Sequence, residues 1–471
     1  MLGGIGKMFL LLFVFISVSS ALDVRHVVFV ISSQENDFNM KLAEHLKNDI
    51  IFQSGIVFNE SPVVHIAQQD FPHFAGWAII PIVSDILKVH KHNASWIFFL
   101  QDYTSLRVHK VIEILDKYNH CEEVLVGHSL HDEEATIIHH FNFHEDPKAF
   151  KYPNLGPGFG VTIPILERIV KQLKENDIFI SNFSIDVAYE LAKYIFNYGC
   201  KAALVKHEPS LCSSYSPYCA SFPSRLLACD KMVPRNNIFF AVKTCEQFHH
   251  DRVPIVQKTW GKHVPLIKFF SDKEDSSIPT IDAGDSGAKS GYCLKTIAIM
   301  KYIANIIEKN DTDIKWIVIA DDDTILGINA LQKVLSCYDY NKKMAIGERY
   351  GYEMREPFGY NYITGGAGMV FSKPLLLEII KNCRCPSENS PDDMYLGYCI
   401  SKMGVQVTHV PGFHQARPND YPAAYLDTHD AVSFHKHWMI DPIKVYQEWF
   451  EKSDNTENYL LESKTVNKEE L

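Results

Sequence analysis

Residues 316–324 read Trp-Ile-Val-Ile-Ala-Asp-Asp-Asp-Thr. The apolar run at 317–320 has the pattern of a buried strand, and it empties into three adjacent carboxylates, Asp321, Asp322 and Asp323. Carboxylates crowded in this way repel one another, and in a partly buried setting they need a balancing cation. Oxygen donors of this kind suit Mn²⁺ or Mg²⁺, and an ion held there can grip the phosphates of a substrate. An acidic triplet by itself is more often a solvated loop. The strand in front of this one, and the residues that follow it, favour a site.

Downstream lies Thr364-Gly-Gly-Ala-Gly-Met369. Gly365, Gly366 and Gly368 let the backbone approach a ligand and present its amides, although a plain turn accounts for such a loop equally well. The spacing fits neither dinucleotide nor ATP loops. Pro391-Asp392-Asp393-Met394 then opens an amphipathic segment reaching Met403. A carboxylate at a helix N-terminus is held ionised by the helix dipole, and it can either cap the helix or take a hydroxyl proton. His409 and His414 follow in Thr408-His-Val-Pro-Gly-Phe-His414, and imidazole is a suitable extra ligand for Mn²⁺. Among 22 histidines, however, any single one is more often structural.

These residues need a scaffold, and the sequence shows one twice. Trp96-Ile-Phe-Phe-Leu-Gln-Asp-Tyr-Thr104 parallels 316–324. Tyr152-Pro-Asn-Leu-Gly-Pro-Gly-Phe-Gly160, leading to Pro164, parallels Tyr360-Asn-Tyr-Ile-Thr-Gly-Gly-Ala-Gly368, leading to Pro374. Asp186-Val-Ala-Tyr189 with Tyr198-Gly199 parallels Asp393-Met-Tyr395 with Met403-Gly404. Three matches in one order point to a tandem duplication. The first copy has Gln101-Asp102-Tyr103 for the triplet and Ile185-Asp186 for the acidic pair. A phenol of pKa about 10 cannot replace a carboxylate ligand, so the first copy is expected to be non-catalytic, serving acceptor binding or folding. Short apolar strands at 27–31, 238–242, 266–270 and 316–320 alternate with helical patterns such as 294–309. That alternation predicts an α/β fold with a largely parallel sheet, whose ligands bind beyond the carboxyl ends of the strands. The boundary is expected in the Cys- and Ser-rich stretch 207–234.

A net charge of −11 over 471 residues, with no long basic run, argues against a nucleic-acid partner. After Lys7, the apolar run 8–18 leads to Ser19, Ser20 and Ala21, the outline of a signal peptide over 1–21. The run is shorter than the roughly 20 residues that span a bilayer, and strand-like sequence follows too soon for the stem of a membrane anchor. Lys468-Glu-Glu-Leu471 is a variant of the Lys-Asp-Glu-Leu signal, which predicts a KDEL-type retrieval receptor as partner and residence in the lumen of the endoplasmic reticulum. The sequons at Asn59, Asn93, Asn182 and Asn310 fit that route. Eleven cysteines in an oxidising lumen should mostly pair, leaving at least one over. Cys200, Cys212, Cys219 and Cys229 cluster in mid-chain, and Cys383, Cys385 and Cys399 late. The paired C-x₂-C spacing of a zinc site is missing from both clusters.

One set of motifs joins these features. Ala241-Val-Lys-Thr244 with Phe248-His249 and Arg252, Thr259-Trp260, the Asp triplet, Thr364-Gly-Gly-Ala-Gly368, Pro391-Asp-Asp393 and Phe413-His414 resemble the Fringe-type β-1,3-glycosyltransferases. The resemblance implies tandem GT-A-like, Rossmann-like nucleotide-sugar-binding domains, the first (22–225) degenerate and the second (236–452) catalytic. A polar tail would occupy 453–471. It implies Asp323, Asp321 and His414 as metal ligands for Mn²⁺, with Mg²⁺ as the alternative. Asp393 would be the catalytic base and Asp392 its neighbour. Thr244, Arg252, Asp272, Asp321, Asp322, Gly365 and Gly366 would bind the donor. The leader, the ending and the two-copy layout are most similar to the branch that uses UDP-glucose. That branch extends O-linked fucose on thrombospondin type 1 repeats at its 3-hydroxyl, with inversion, giving Glc-β-1,3-Fuc. UDP-N-acetylglucosamine or UDP-galactose as donor is the alternative within the family. A lumenal chaperone-like binding protein is the alternative outside it.

Overall fold

In a computed structural model, the described residues are 22–175, 182–197, 205–225, 228–283, 292–309, 313–354, 358–387 and 390–456. The expected signal peptide, the four-residue ending, Asn310 and Cys200 lie outside them. Asn59, Asn93 and Asn182 are exposed. Among the described residues, no helix is long and apolar enough to cross a membrane.

The fold is mixed α/β, built on two sheets. In the second half the strand order is Thr280–Asp282, Ile267–Ser271, Ile238–Lys243, Trp316–Asp321, Met369–Ser372, Ala345–Gly347, Val407–His409. In the first half Val63–Ile66, Val27–Ser32, Trp96–Gln101, Phe159–Thr162, Leu125–Gly127 and Lys206–His207 follow the same plan without the outermost strand. Each sheet is parallel except for one reversed strand, Met369–Ser372 or Phe159–Thr162. The "largely parallel" expectation therefore needs that qualification, and the reversal matters. Because Met369 pairs with Ile319, the glycine loop just before Met369 is delivered to the end of the strand that carries the Asp triplet.

The central strands are apolar up to their last residues because both faces are covered. Ile238, Phe240, Val242, Trp316, Val318 and Ala320 enter one core. Phe239, Ala241, Ile317 and Ile319 enter another, with the helix Tyr292–Lys309. The helix Asp392–Lys402 lies against the strand Tyr360–Ile363 at Gly397, where an added Cβ would fall 2.2 Å from the Tyr362 Cβ. Disulfides tie these pieces. Cys293–Cys385 and Cys383–Cys399 link both helices to one segment, Cys229–Cys337 fastens the stretch between the halves to the second half, and Cys212–Cys219 closes a short loop. Cys121 and Cys245 are free.

The halves meet through backbone. Phe183–Ser184 pairs antiparallel with Tyr352 and Gly351, adding a strand from the first half to a sheet of the second. Gln34 brackets His409, accepting from its N–H at 2.7 Å and donating to its carbonyl at 2.9 Å. Trp77 donates to Asn361 at 2.9 Å and lies under the Arg349 guanidinium. Asp454, expected just inside the polar tail, is instead fully buried. It accepts from the Ile328 and Asn329 amides and the Tyr446 hydroxyl, satisfying the first turn of the helix Ile328–Leu335. Packed structure thus runs past residue 452.

Replacing both Cys383 and Cys399 by alanine should cost roughly 3 kcal/mol, the loop-closure entropy expected for a ring of this size. A lower urea midpoint is the expected result, and an unchanged one would show that the crosslink adds nothing to stability.

Candidate active site

The parallel pairing of Ile238–Lys243 with Trp316–Asp321 sets Lys243 beside Asp321. The Lys243 ammonium lies 2.9 Å from Asp321 and 2.7 Å from Asp392, which also accepts from the Thr296 hydroxyl at 2.6 Å. Burial opposes the lysine's charge, but the two carboxylates outweigh it and raise its pKa. Burial likewise opposes ionised Asp392, and Lys243 and Thr296 outweigh it and hold the pKa low. Asp392 is therefore an ionised structural partner.

Asp322 accepts from the Thr244 hydroxyl at 2.7 Å and from Arg252 at 3.0 Å, while Asp323 meets Arg252 at 2.9 Å and His435 at 3.2 Å. Burial pushes Asp322 up to about 6. It would push Asp323 the same way, but His435 and Arg252 prevail and hold it at about 2. Arg252 itself rests on the Phe248 ring, 3.7 Å from its centroid. The balancing charge expected of a cation is thus partly supplied by Lys243, Arg252 and His435. Asp272 stands at the end of the next strand, where it accepts from the Glu246 amide and the Ser271 hydroxyl at 2.8 and 3.0 Å.

Asp321, Asp323 and His435 each present a ligand atom, all within 4.8 Å of one another. His435 reaches this position because Ser433–His435 pairs antiparallel with Thr324–Leu326, directly after the triplet. Its Nδ1 lies 3.0 Å from the Gln415 carbonyl, which can only accept, so Nδ1 carries a proton and Nε2 faces the carboxylates. Two carboxylates and an oriented imidazole suit a divalent ion such as Mn²⁺. Gly366 makes room for the ring, since a Cβ there would lie 2.4 Å from it.

His414, expected as the third ligand, does not join this group. Its ring is fully buried beneath the Ser433–His435 strand and stacks on Phe434; Nδ1 donates to the Ser433 carbonyl at 2.9 Å, and Nε2 meets His429 at 3.0 Å. Burial lowers its pKa to about 4. His414 is a satisfied core histidine, and His409 is engaged at the junction with the first half.

Asp393 lies at the start of the helix Asp392–Lys402, facing the glycine loop. Its carboxylate accepts from the Met394 amide at 2.7 Å and, at 3.3 Å, from the Gly365 amide. Burial and the charge of Asp392 raise it to about 6. Gly365 thus touches the acid pair, and Gly366 touches the third candidate metal ligand. Lys243 and His435 were the residues not singled out from sequence. A lysine closing an otherwise apolar strand was a usable signal for the first; nothing local marked the second.

The corresponding strand ends of the first half line a cavity of about 980 Å³ between the halves, with Asp102, Tyr103, Asp186, Arg349 and His409 among its walls. Asp102 accepts from Ser33 and Asn39, and burial raises it to about 6. Among the described residues, no second cluster of metal-ligating side chains is found there.

A model of the Fringe-like family matches residues 82–186 and 233–461. The Homo sapiens protein named beta-1,3-glucosyltransferase is 43% identical over 442 residues, covering 93% of this chain and 88% of that protein. The Mus musculus protein of that name is 42% identical over 436 residues, covering 92% and 88%. Xenopus laevis lunatic fringe, a beta-1,3-N-acetylglucosaminyltransferase, is 26% identical over 226 residues, covering 43% of this chain and 59% of that protein.

His435→Ala should weaken Mn²⁺ binding by at least about tenfold in a calorimetric titration, whereas His414→Gln should leave it unchanged. The reverse pattern would return the ligand role to His414.

Proposed function

The chain belongs to the Fringe-like family of glycosyltransferases, and on that premise we propose that it transfers glucose from UDP-glucose to the 3-hydroxyl of O-linked fucose on thrombospondin type 1 repeats. One observation carries this reading. The Gly365–Gly366 loop holds a carboxylate of raised pKa, Asp393, on one side and the Asp321, Asp323 and His435 group on the other. The first supplies a base for the acceptor, and the second a place for a nucleotide diphosphate. The donor sugar is inferred from the name of these relatives, beta-1,3-glucosyltransferase, and from the motif resemblance.

Asp393 takes the proton of the fucose hydroxyl as that oxygen attacks the anomeric carbon of glucose. The bond from that carbon to the diphosphate breaks on the opposite face, and UDP leaves with the electron pair. One displacement inverts the configuration, turning an α-linked donor into a β-linked product. No covalent sugar–protein intermediate is required. Asp321, Asp323 and His435 would hold Mn²⁺ or Mg²⁺, which when bound stabilises charge on the departing diphosphate. Thr244 and Arg252, tied to Asp322, frame the nucleotide side with Asp272 at its edge. Asp392 keeps Lys243 in place and holds Asp393 at a basicity suited to proton transfer near neutral pH.

In the first half Gln101, Asp102 and Tyr103 end the strand equivalent to Trp316–Asp321, and we read that half as a non-catalytic copy. Four disulfides and three exposed sequons support an oxidising secretory compartment, which we take to be the lumen of the endoplasmic reticulum.

A donor screen tests the reading. Mass spectrometry of a fucosylated repeat, incubated with Mn²⁺ and each UDP-sugar in turn, should show a hexose gained from UDP-glucose alone and lost with EDTA. Gain from UDP-N-acetylglucosamine or UDP-galactose would replace the donor, and no gain from any would reject the acceptor. Asp393→Asn should lower kcat by about 10²–10⁴-fold with the KM for UDP-glucose little changed. Because the base must be ionised and its pKa is raised to about 6, kcat/KM should fall about tenfold per pH unit below that value and level off above it. A flat profile down to pH 4 would remove Asp393 from the proton transfer.

A further inference from the structure

The three-stranded sheet at the junction carries a row of aromatic rings that the chemistry above leaves unused. Phe183, on the strand from the first half, lies 5.2 Å from Tyr352 between ring centroids. Tyr352 lies 5.5 Å from Tyr360, and Tyr360 5.6 Å from Tyr398. Strand register makes the row: Tyr352 stands directly opposite Phe183 on one side and Tyr360 on the other, so the three side chains share one face of the sheet. Tyr398 extends it on the helix that begins with Asp392 and Asp393. The rings are not core: Phe183, Tyr352 and Tyr360 are half-buried, and Tyr398 is 42% exposed. The strand that carries Tyr360 runs into the glycine loop, where the Gly365 amide donates to Asp393 at 3.3 Å, so this end of the row adjoins the base.

We propose that this row is the surface on which the polypeptide carrying the acceptor sugar docks, with Phe183 bringing the first half into acceptor recognition. This rests on the functional reading above, because only a molecule delivering a hydroxyl to Asp393 must approach that end of the row. Its length selects protein over sugar. One pyranose covers a single ring, and four rings in succession match the aromatic-rich centre of a protein interface. The first half is thereby a working part of the acceptor surface, although its own strand ends lack the acidic triplet.

The test uses the full chain with three variants, Phe183→Ala, Tyr352→Ala and Tyr398→Ala. The KM for the fucosylated repeat should rise about tenfold in each, the effect of removing an aromatic anchor, while the KM for UDP-glucose and transfer to a free α-fucoside stay unchanged. Phe183→Tyr should restore the repeat KM. Tyr398 is exposed and lies outside the strand pairing, so its variant keeps the test open if either of the others fails to fold. Transfer by the unaltered chain to the repeat comes first, since its absence defeats the functional reading itself. Given that transfer, an unchanged KM for the repeat, or equal loss on the free fucoside, overturns the docking surface.

Discussion

The Lys243 ammonium is the contact on which the rest of the site depends. It is buried at the end of a central strand and pairs with one carboxylate on the neighbouring strand and one on a distant helix. Removing it would leave Asp321 and Asp392 facing each other with no intervening charge, a situation a protein interior tolerates poorly. Through that one group, the sheet that carries the candidate metal ligands and the helix that carries the candidate base are kept in a fixed relation. The disulfides hold the same helix from its other side, through Cys399 and the segment that also reaches Cys293. Electrostatics sets the inner edge of the site, and covalent bonds set the outer.

Glycine decides what fits between those anchors. Gly366 yields space to His435 and Gly397 lets the helix approach the strand Tyr360–Ile363, each at a distance no side chain would allow. Close backbone approach is what permits a base, a histidine and two carboxylates to share so small a volume. The first half preserves the strand plan, and its hydroxyl contact from Ser33 to Asp102 parallels that from Thr244 to Asp322. Its Ser32, in the position of Lys243, has no charge with which to balance a partner.

Much of this was legible in the sequence, for physical reasons. The strand Trp316–Asp321 could be read because burial on both faces makes it apolar up to its last residue, and the helix Asp392–Lys402 because its opening residues are acidic. Asp321, Asp323 and Asp393 follow from their places at element ends, where the chain itself fixes position. His435 could not be read, because it meets the triplet only through antiparallel pairing with Thr324, a non-local fact. His414 misled for the complementary reason, since its motif fixes the local chain while the strand above it decides where the ring points. The two-residue strand Phe183–Ser184 is too short to leave a pattern, and Asp454 opens a charged stretch of sequence while its burial depends on amides distant along the chain and on a hydroxyl.

That short strand has one more consequence. Cutting the chain between its halves would strip a partner from Arg349–Tyr352 and lay bare an open sheet edge beside several half-buried aromatic rings. Open edges of this kind recruit other chains and self-associate. The second half holds the candidate reactive groups, yet released alone it would be prone to aggregation. Any solubility gained by carrying the first half belongs to the fold itself, and it would constrain the pairing residues even if they never met a substrate.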